Sequence, residues 1–271
     1  MIERFNFYDV YGYLLPGAIL LTLGALPFAL STWDLPSLEW TSAITFIVAG
    51  YVVGHFLQAL ARDAVPSTVR KDGKARFPSD IVLDEGDPTF PKEFKETLKR
   101  YVSDDFGLDA SAVNQRQAVF NVCRQALQAS DSPSYAEQFQ GLYAFMRGIF
   151  AASLVMLANY LGWLVGSRFG PSWWVPGQVL VGAAVTVWLF TVLINRYGFW
   201  SLLLLAASAG ALAGIRFPLT PTREFALGLA IPFLIVSAKL SRSAYILFAH
   251  KFATTVYEAY YVRQVVPTAK Q

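Results

Sequence analysis

Three polar side chains that could carry chemistry lie within long apolar runs of the sequence. His55 and Gln58 are three residues apart, so they share one helix face near the end of the second run, whereas Asn159 lies deep in the third. Polar groups at membrane depth are costly and often line the path of an ion or solute. The structural alternative is that Gln58 and Asn159 hydrogen-bond across helices while His55 lies at the wet interface.

The other reactive residues form no catalytic or metal-binding set in the sequence. No Asp or Glu lies in the middle of an apolar run, although an intramembrane hydrolase needs paired carboxylates or a nucleophile with a base. His250 has only Glu258 near it, at a loosely helical spacing, which is too little for a metal site. Cys123, the single cysteine, lies on an apolar helix face and is expected in a core. We therefore expect no enzyme activity, no cofactor and no metal ion.

The composition is typical of a membrane protein. Of the 271 residues, 55% are hydrophobic and 15% are charged, whereas soluble domains carry roughly a quarter charged residues. The formal net charge is +3 and the basic residues are scattered along the chain, so nucleic acid is not an expected partner. The expected surroundings of the chain are a lipid bilayer.

The lengths of the apolar runs predict an all-α, multi-pass transmembrane bundle with about six spans, because about 20 apolar residues cross the hydrocarbon core. The predicted spans are 10–31, 40–61, 142–166, 175–195, 199–215 and 221–240. The sixth depends on Thr220 as N-cap, with Pro221 at the first helical position. The main alternative has four spans and two interfacial helices. The first run is longer than the apolar part of a signal peptide, so we predict a retained span.

The distribution of Lys and Arg predicts the orientation in the membrane. If the N-terminus is inside, the outer loops hold only Arg168, Arg216 and Arg223, and the loop after the first span is acidic through Asp34 and Glu39. The other basic residues then fall inside. We therefore predict that both termini are cytoplasmic.

Most of the predicted extramembrane mass lies in one cytoplasmic insert. The predicted segments are an N-terminal transmembrane hairpin (1–61), the helical insert (62–141), a transmembrane bundle (142–240) and a cytoplasmic amphipathic helix with a tail (241–271). Within the insert, an irregular connection precedes helices at 91–105 and 111–129, and a third run from about Ser134 continues into the third span. The C-terminal helix either lies on the inner leaflet or packs against the insert.

Three pairs of glycines, each four residues apart, predict close helix packing. The pairs are Gly50/Gly54, Gly162/Gly166 and Gly210/Gly214. Small residues at this spacing let another helix backbone approach closely in lipid, where packing drives association. The neighbouring helix belongs either to a second copy of the chain, which would make a homo-oligomer, or to the same bundle.

Three short stretches of the sequence carry a resemblance. They are YGYLLPG from Tyr11, GHFLQ from Gly54 and AEQFQ from Ala136. They are similar to stretches of uncharacterised bacterial multi-pass inner-membrane proteins. The resemblance implies a bacterial inner membrane and brings no activity with it.

Two functional hypotheses from different classes follow. In the first, the chain is a non-enzymatic membrane effector, anchor or accessory subunit whose cytoplasmic helical insert binds a protein partner or signal. In the alternative, it is a channel or small-solute transporter with His55, Gln58 and Asn159 lining the path. The first is favoured because a bundle without catalytic groups is predicted to continue as a helix into the insert.

Overall fold

The computed structural model describes residues 7–32, 40–65, 69–71, 74–129, 135–169, 171–193, 198–217 and 220–265. Within these ranges the fold is helical, as predicted. The helices are α1 (Phe7–Asp9), α2 (Leu15–Thr32), α3 (Trp40–Ala64), α4 (Pro78–Ile81), α5 (Lys92–Phe106), α6 (Arg116–Gln128), α7 (Tyr135–Gly166), α8 (Trp174–Leu193), α9 (Gly198–Arg216) and α10 (Pro221–Val265). A π-helical turn, Val10–Leu14, joins α1 to α2. The predicted acidic loop with Asp34 and Glu39 and the tail residues 266–271 lie outside the described residues.

Five helical segments are long and apolar enough to cross a membrane, which supports membrane association. They are Phe7–Leu26, Trp40–Arg62, Tyr135–Gly166, Gly198–Arg216 and Arg223–Val265. The predicted fourth span is helical as α8, but its described apolar part, Pro176–Trp188, is shorter than a span. The described residues therefore hold five candidate spans where the sequence predicts about six.

The predicted sixth span and the predicted amphipathic helix form one helix, which differs from the expected segment boundary. The 45-residue helix α10 includes both. No glycine or proline follows Pro232 until Pro267, so nothing in the sequence ends the helix earlier. The third run of the insert also continues into its span as predicted, because α7 is unbroken from Tyr135 to Gly166.

The chain divides into two compact units. The first, here called the span unit, comprises Met1–Val65 and Ala144–Ala244. The second, here called the insert–tail unit, comprises Pro66–Tyr143 and Tyr245–Gln271. The C-terminal segment thus belongs to the same unit as the insert.

In the span unit, α2 and the π-helical turn approach α3 through glycines. A Cβ on Gly17 would lie 1.9 Å from the carbonyl oxygen of Gly50, and a Cβ on Gly54 would lie 1.9 Å from that of Tyr13. Because no side chain fits at such distances, only glycine permits this backbone spacing. The Gly50/Gly54 face therefore contacts helical segments of the same chain.

Helices α7 and α9 approach each other in the same way, with glycines on both sides. On α7, a Cβ on Gly162 or Gly166 would lie 2.0 or 1.9 Å from the carbonyl oxygen of Ala207 or Ala211 on α9. On α9, a Cβ on Gly210 or Gly214 would lie 1.9 or 2.3 Å from the carbonyl oxygen of Asn159 or Trp163 on α7. Each helix thus offers a glycine pair to the backbone of the other. These two pairs also make contacts within one chain.

The insert–tail unit has an apolar core of its own. Helices α5 and α6 and the C-terminal part of α10 contribute fully buried side chains, among them Leu98, Val102, Val119, Cys123, Val256 and Tyr257. Cys123 is therefore a core residue, as predicted. The apolar face of the C-terminal helix packs on the insert, which is one of the two alternatives that the sequence left open.

Two local features of the insert differ from the sequence prediction. The connection expected to be irregular contains a short antiparallel pair, β1 (Val69–Lys71) and β2 (Lys74–Arg76), in which Val69 pairs with Arg76. Helix α6 begins at Arg116 and not at 111, because tight turns precede it: the N–H groups of Ala112 and Gln115 donate to the carbonyl oxygens three residues earlier, at 3.2 and 2.9 Å. Such turns replace the first helical hydrogen bonds.

We expect Gly54→Ala to lower the free energy of unfolding by about 1–3 kcal/mol, because its Cβ would force α3 away from Tyr13. The matched control is Gly24→Ala on α2, where a Cβ meets nothing within 4 Å. Thermal unfolding of the full chain in detergent micelles measures both. Equal stability of the two variants would contradict the contact.

Candidate functional site

A buried glutamine connects three helical segments of the span unit. The Gln58 side chain, 3% exposed on α3, donates from Nε2 to the carbonyl oxygens of Gly12 (2.7 Å) and Ala144 (2.5 Å). Its Oε1 accepts a hydrogen bond from Arg147 Nε at 2.8 Å. A primary amide has two N–H donors, so both are used here. This glutamine–arginine network is the candidate site in the span unit.

A proline and a glycine explain the position of the Gln58 amide. The proline has no N–H for a nearby carbonyl group, and the glycine leaves space for the amide. In a regular α-helix the Gly12 carbonyl would accept from the residue four positions later, but that residue is Pro16, which has no N–H. The Gln58 amide satisfies that carbonyl instead. On the other side, a Cβ on Gly148 would lie 2.6 Å from the Pro16 ring and 2.8 Å from Gln58 Nε2. Two of the three stretches that carry the resemblance meet in this network, through Gly12, Pro16 and Gln58.

Arg147 is a site residue that the sequence analysis missed. Its side chain is buried, with 4% of the residue exposed, and a charge buried in a candidate span requires hydrogen-bond partners. Gln58 Oε1 supplies one of them. The signal was present in the sequence, since Arg147 is the only charged residue of the predicted span 142–166.

The structure gives each of the three predicted polar residues its own partner. The His55 ring stacks on the Tyr13 ring, with centroids 3.7 Å apart, and its Nδ1 lies 2.9 Å from the Tyr51 carbonyl oxygen. Asn159 donates from Nδ2 to the Ala206 carbonyl oxygen at 3.0 Å. It follows Arg147 on α7 by twelve residues, roughly 18 Å along the helix axis. His55 and Gln58 thus lie three residues apart on α3, whereas Asn159 contacts α9 farther along α7.

A second polar cluster lies in the insert–tail unit, around Asp84. Arg76 at the end of β2 binds both Asp84 carboxylate oxygens, at 2.7 and 2.8 Å. Arg116, the first residue of α6, donates to Asp84 Oδ1 at 2.5 Å and to the Asp80 carbonyl oxygen at 2.8 Å. Lys95 on α5, 3% exposed, donates from Nζ to the carbonyl oxygens of Asp84 and Asp87, each at 2.5 Å.

These contacts decide the charge state of the cluster. Partial burial of Asp84 opposes its ionisation, but the hydrogen bonds and charges of Arg76 and Arg116 outweigh that effect and lower its pKa to about 2. Burial raises the pKa of the neighbouring Asp80. Burial also raises the pKa of the Cys123 thiol to about 12, so this thiol is a poor nucleophile at neutral pH.

This cluster was not predicted from the sequence either, although the helical spacing of its charged residues indicates it. Lys95 lies three and seven residues before the buried Leu98 and Val102, and Arg116 precedes Val119 and Cys123 at the same spacings. A charge on a buried stripe indicates a partner inside the fold. The cluster orders the segment before α5, since two carbonyl oxygens there accept from one ammonium group.

No protein-family model matches the sequence, and no curated protein or solved structure is similar enough to count as a match. Among the described residues, no three His, Cys, Asp or Glu side chains lie close enough to hold a metal ion.

We expect Gln58→Leu and Arg147→Met to be strongly coupled. Each single variant takes from a buried polar atom the hydrogen bond that joins the two side chains, whereas the double variant removes both members of that bond. The coupling free energy should be about 1–3 kcal/mol, with the double variant less destabilised than the sum of the two. Unfolding of the full chain in mixed micelles measures this cycle, and strict additivity would argue against the network.

We expect Asp84→Asn to open the insert–tail unit, as reported by the labelling rate of Cys123, the only thiol. A folded-state pKa below the unfolded value means that the Asp84 contribution is present above about pH 4 and is lost as the pH falls toward 2. At pH 6 its loss should accelerate labelling roughly 10- to 30-fold, corresponding to about 2 kcal/mol. The difference from the unmodified chain should shrink as the pH falls from 5 to 2.

The matched control for this experiment is Glu96→Gln. Glu96 forms an ion pair with Lys92 at 3.7 Å on the exposed side of α5, so its loss should leave labelling unchanged within about twofold. Equal acceleration in both variants would mean that the Asp84 ion pairs do not hold the unit closed.

Proposed function

We propose that the chain is a non-enzymatic, multi-pass protein of a bacterial inner membrane, with both termini cytoplasmic, whose insert–tail unit binds a protein partner. In this proposal the span unit anchors the protein, and the chain acts as a membrane effector or accessory subunit. The single observation that carries it is the insert–tail core. A segment of about 80 residues and a C-terminal helix together build a folded unit with its own buried apolar and charged interior.

The outer surface of α6 supports a binding role for this unit. The exposed residues of α6 are uncharged: Gln117, Ala118, Asn121, Gln125 and Gln128. Its two arginines add little charge to this surface. Arg116 is buried against Asp84, and Arg124 is half-buried, with its guanidinium over the Phe252 ring. Helix α5 differs, because Lys92, Glu96 and Arg100 are exposed on it.

A neutral surface of carboxamides suits a protein interface. Charged residues are depleted at interface cores, because their desolvation is costly, and each carboxamide can both donate and accept. We propose that the partner presents an uncharged, hydrogen-bonding surface to the amide face of α6 (Gln117, Asn121, Gln125 and Gln128). Such a complex should resist high salt, since little of its stability depends on exposed charges.

In this proposal, exposed cations of the span unit determine the orientation of the protein in the membrane. Arg62 at the end of α3 and Lys239 and Arg242 on α10 are exposed, and we assign them to the cytoplasmic headgroup level. We do not propose the transport alternative, because His55, Gln58 and Asn159 each have a ring or carbonyl partner within the bundle.

The test is affinity purification of the tagged full chain from membranes of its native host, at low and high salt, followed by mass spectrometry. A stoichiometric partner should be retained at about 0.5 M salt. It should be lost, by at least about tenfold, in a Gln117→Glu, Asn121→Lys double variant. This pair preserves the helix, because Glu and Lys at i and i+4 attract each other.

The control exchanges charges on α5, as Glu93→Lys with Arg100→Glu, and should retain the partner. Unchanged Cys123 labelling verifies that each variant is folded. A partner that survives the α6 change, or that is lost equally in the α5 control, would count against the amide face. Recovery of a homo-oligomer alone would count against a heterologous partner.

A further inference from the structure

The span unit contains a cavity of about 280 Å³ between α2, α7 and α9. Small residues line two of its sides: Gly24 on α2 and Ala206, Ala209 and Ala213 on α9. Helix α7 provides the larger wall, with Val155, Met156, Asn159 and Trp163. Ala209 is exposed, so the cavity opens sideways between the helices.

Direct contacts on both sides hold the cavity open. Tyr160 on α7 donates from its hydroxyl to the carbonyl oxygen of Leu23, the residue before Gly24, at 2.5 Å. On the other side, the Gly210 and Gly214 contacts already fix α9 against the α7 backbone. Neither wall can move inward without breaking these contacts. The cavity is therefore preformed, as binding pockets usually are.

One polar group faces this otherwise apolar space. Asn159 Nδ2 donates to the Ala206 carbonyl oxygen at 3.0 Å, which determines the end of the amide that carries the oxygen. None of the described residues donates a hydrogen bond to Asn159 Oδ1. The cavity thus offers one hydrogen-bond acceptor within an apolar lining, and its complement is an apolar molecule with one donor.

We propose that this cavity binds a small aliphatic alcohol, whose hydroxyl group donates to Asn159 Oδ1 and whose hydrocarbon chain fills the space beside Met156 and Ala213. The volume is roughly twice that of an engineered apolar cavity that accepts benzene, which suits on the order of ten non-hydrogen atoms. Asn159 is seven residues from the end of α7, about 10 Å along its axis. An anionic headgroup would pay a large desolvation penalty at that depth, whereas a hydroxyl group would not.

The experiment uses the full chain in phosphatidylcholine nanodiscs and a diazirine derivative of 1-decanol as the probe. Photolabelling should be saturable and should map to peptides that contain Met156 or Ala209. Unlabelled 1-decanol should compete roughly tenfold better than decane, the ratio expected for one net hydrogen bond. In Asn159→Leu the two competitors should become equal within about twofold.

Two cavity-filling variants keep the proposal testable if Asn159→Leu fails to fold. Ala209→Leu and Ala213→Leu should each abolish saturable labelling while Asn159 is retained. The matched control, Gly228→Leu, places the same side chain on α10 where a Cβ meets nothing within 4 Å, and should label normally. Equal competition by decane and decanol in the unmodified chain would overturn the hydroxyl assignment. Labelling that survives both fillers would overturn the site.

Discussion

Contact between helix backbones without intervening side chains is the constraint on which the span unit depends. Gly17 and Gly54 place α3 directly against the N-terminal segment, and Gly162 and Gly210 do the same for α7 and α9. In lipid, such contacts replace the hydrophobic effect as the source of association, because van der Waals packing is strongest where backbones meet. The close spacing also brings side chains such as Gln58 within reach of carbonyl groups on other helices.

Polar side chains in both units act mainly on main-chain carbonyl oxygens. Gln58 donates to the Gly12 carbonyl, to which Pro16 has no N–H to donate, and Lys95 donates to two carbonyls of the segment before α5. Buried carbonyls without partners are costly in protein and in lipid alike. Each of these side chains therefore fixes a segment distant in sequence. The same chemistry thus orders both units.

The two helices of the insert differ in the charge of their exposed surfaces. Helix α5 carries exposed charges, which keep a surface hydrated, whereas α6 turns its arginines inward and exposes amides. In the span unit, a Cβ on Gly24 would meet nothing within 4 Å, so the packing of α2 does not require the glycine that lines the cavity there.

The sequence by itself determined the helical class, the apolar segments, the continuity of α7 and the glycine pairs, because these depend on local composition and on 3.6-residue periodicity. The tertiary structure decided which groups meet. Arg147 reads as an isolated charge until Gln58 faces it, and Lys95 and Arg116 read as solvent-exposed until Asp84 and its carbonyl neighbours surround them. The sequence also left open whether the C-terminal helix packs on the core of the insert, which the structure shows. Contacts between residues far apart in the chain depend on packing in three dimensions, which no local pattern encodes.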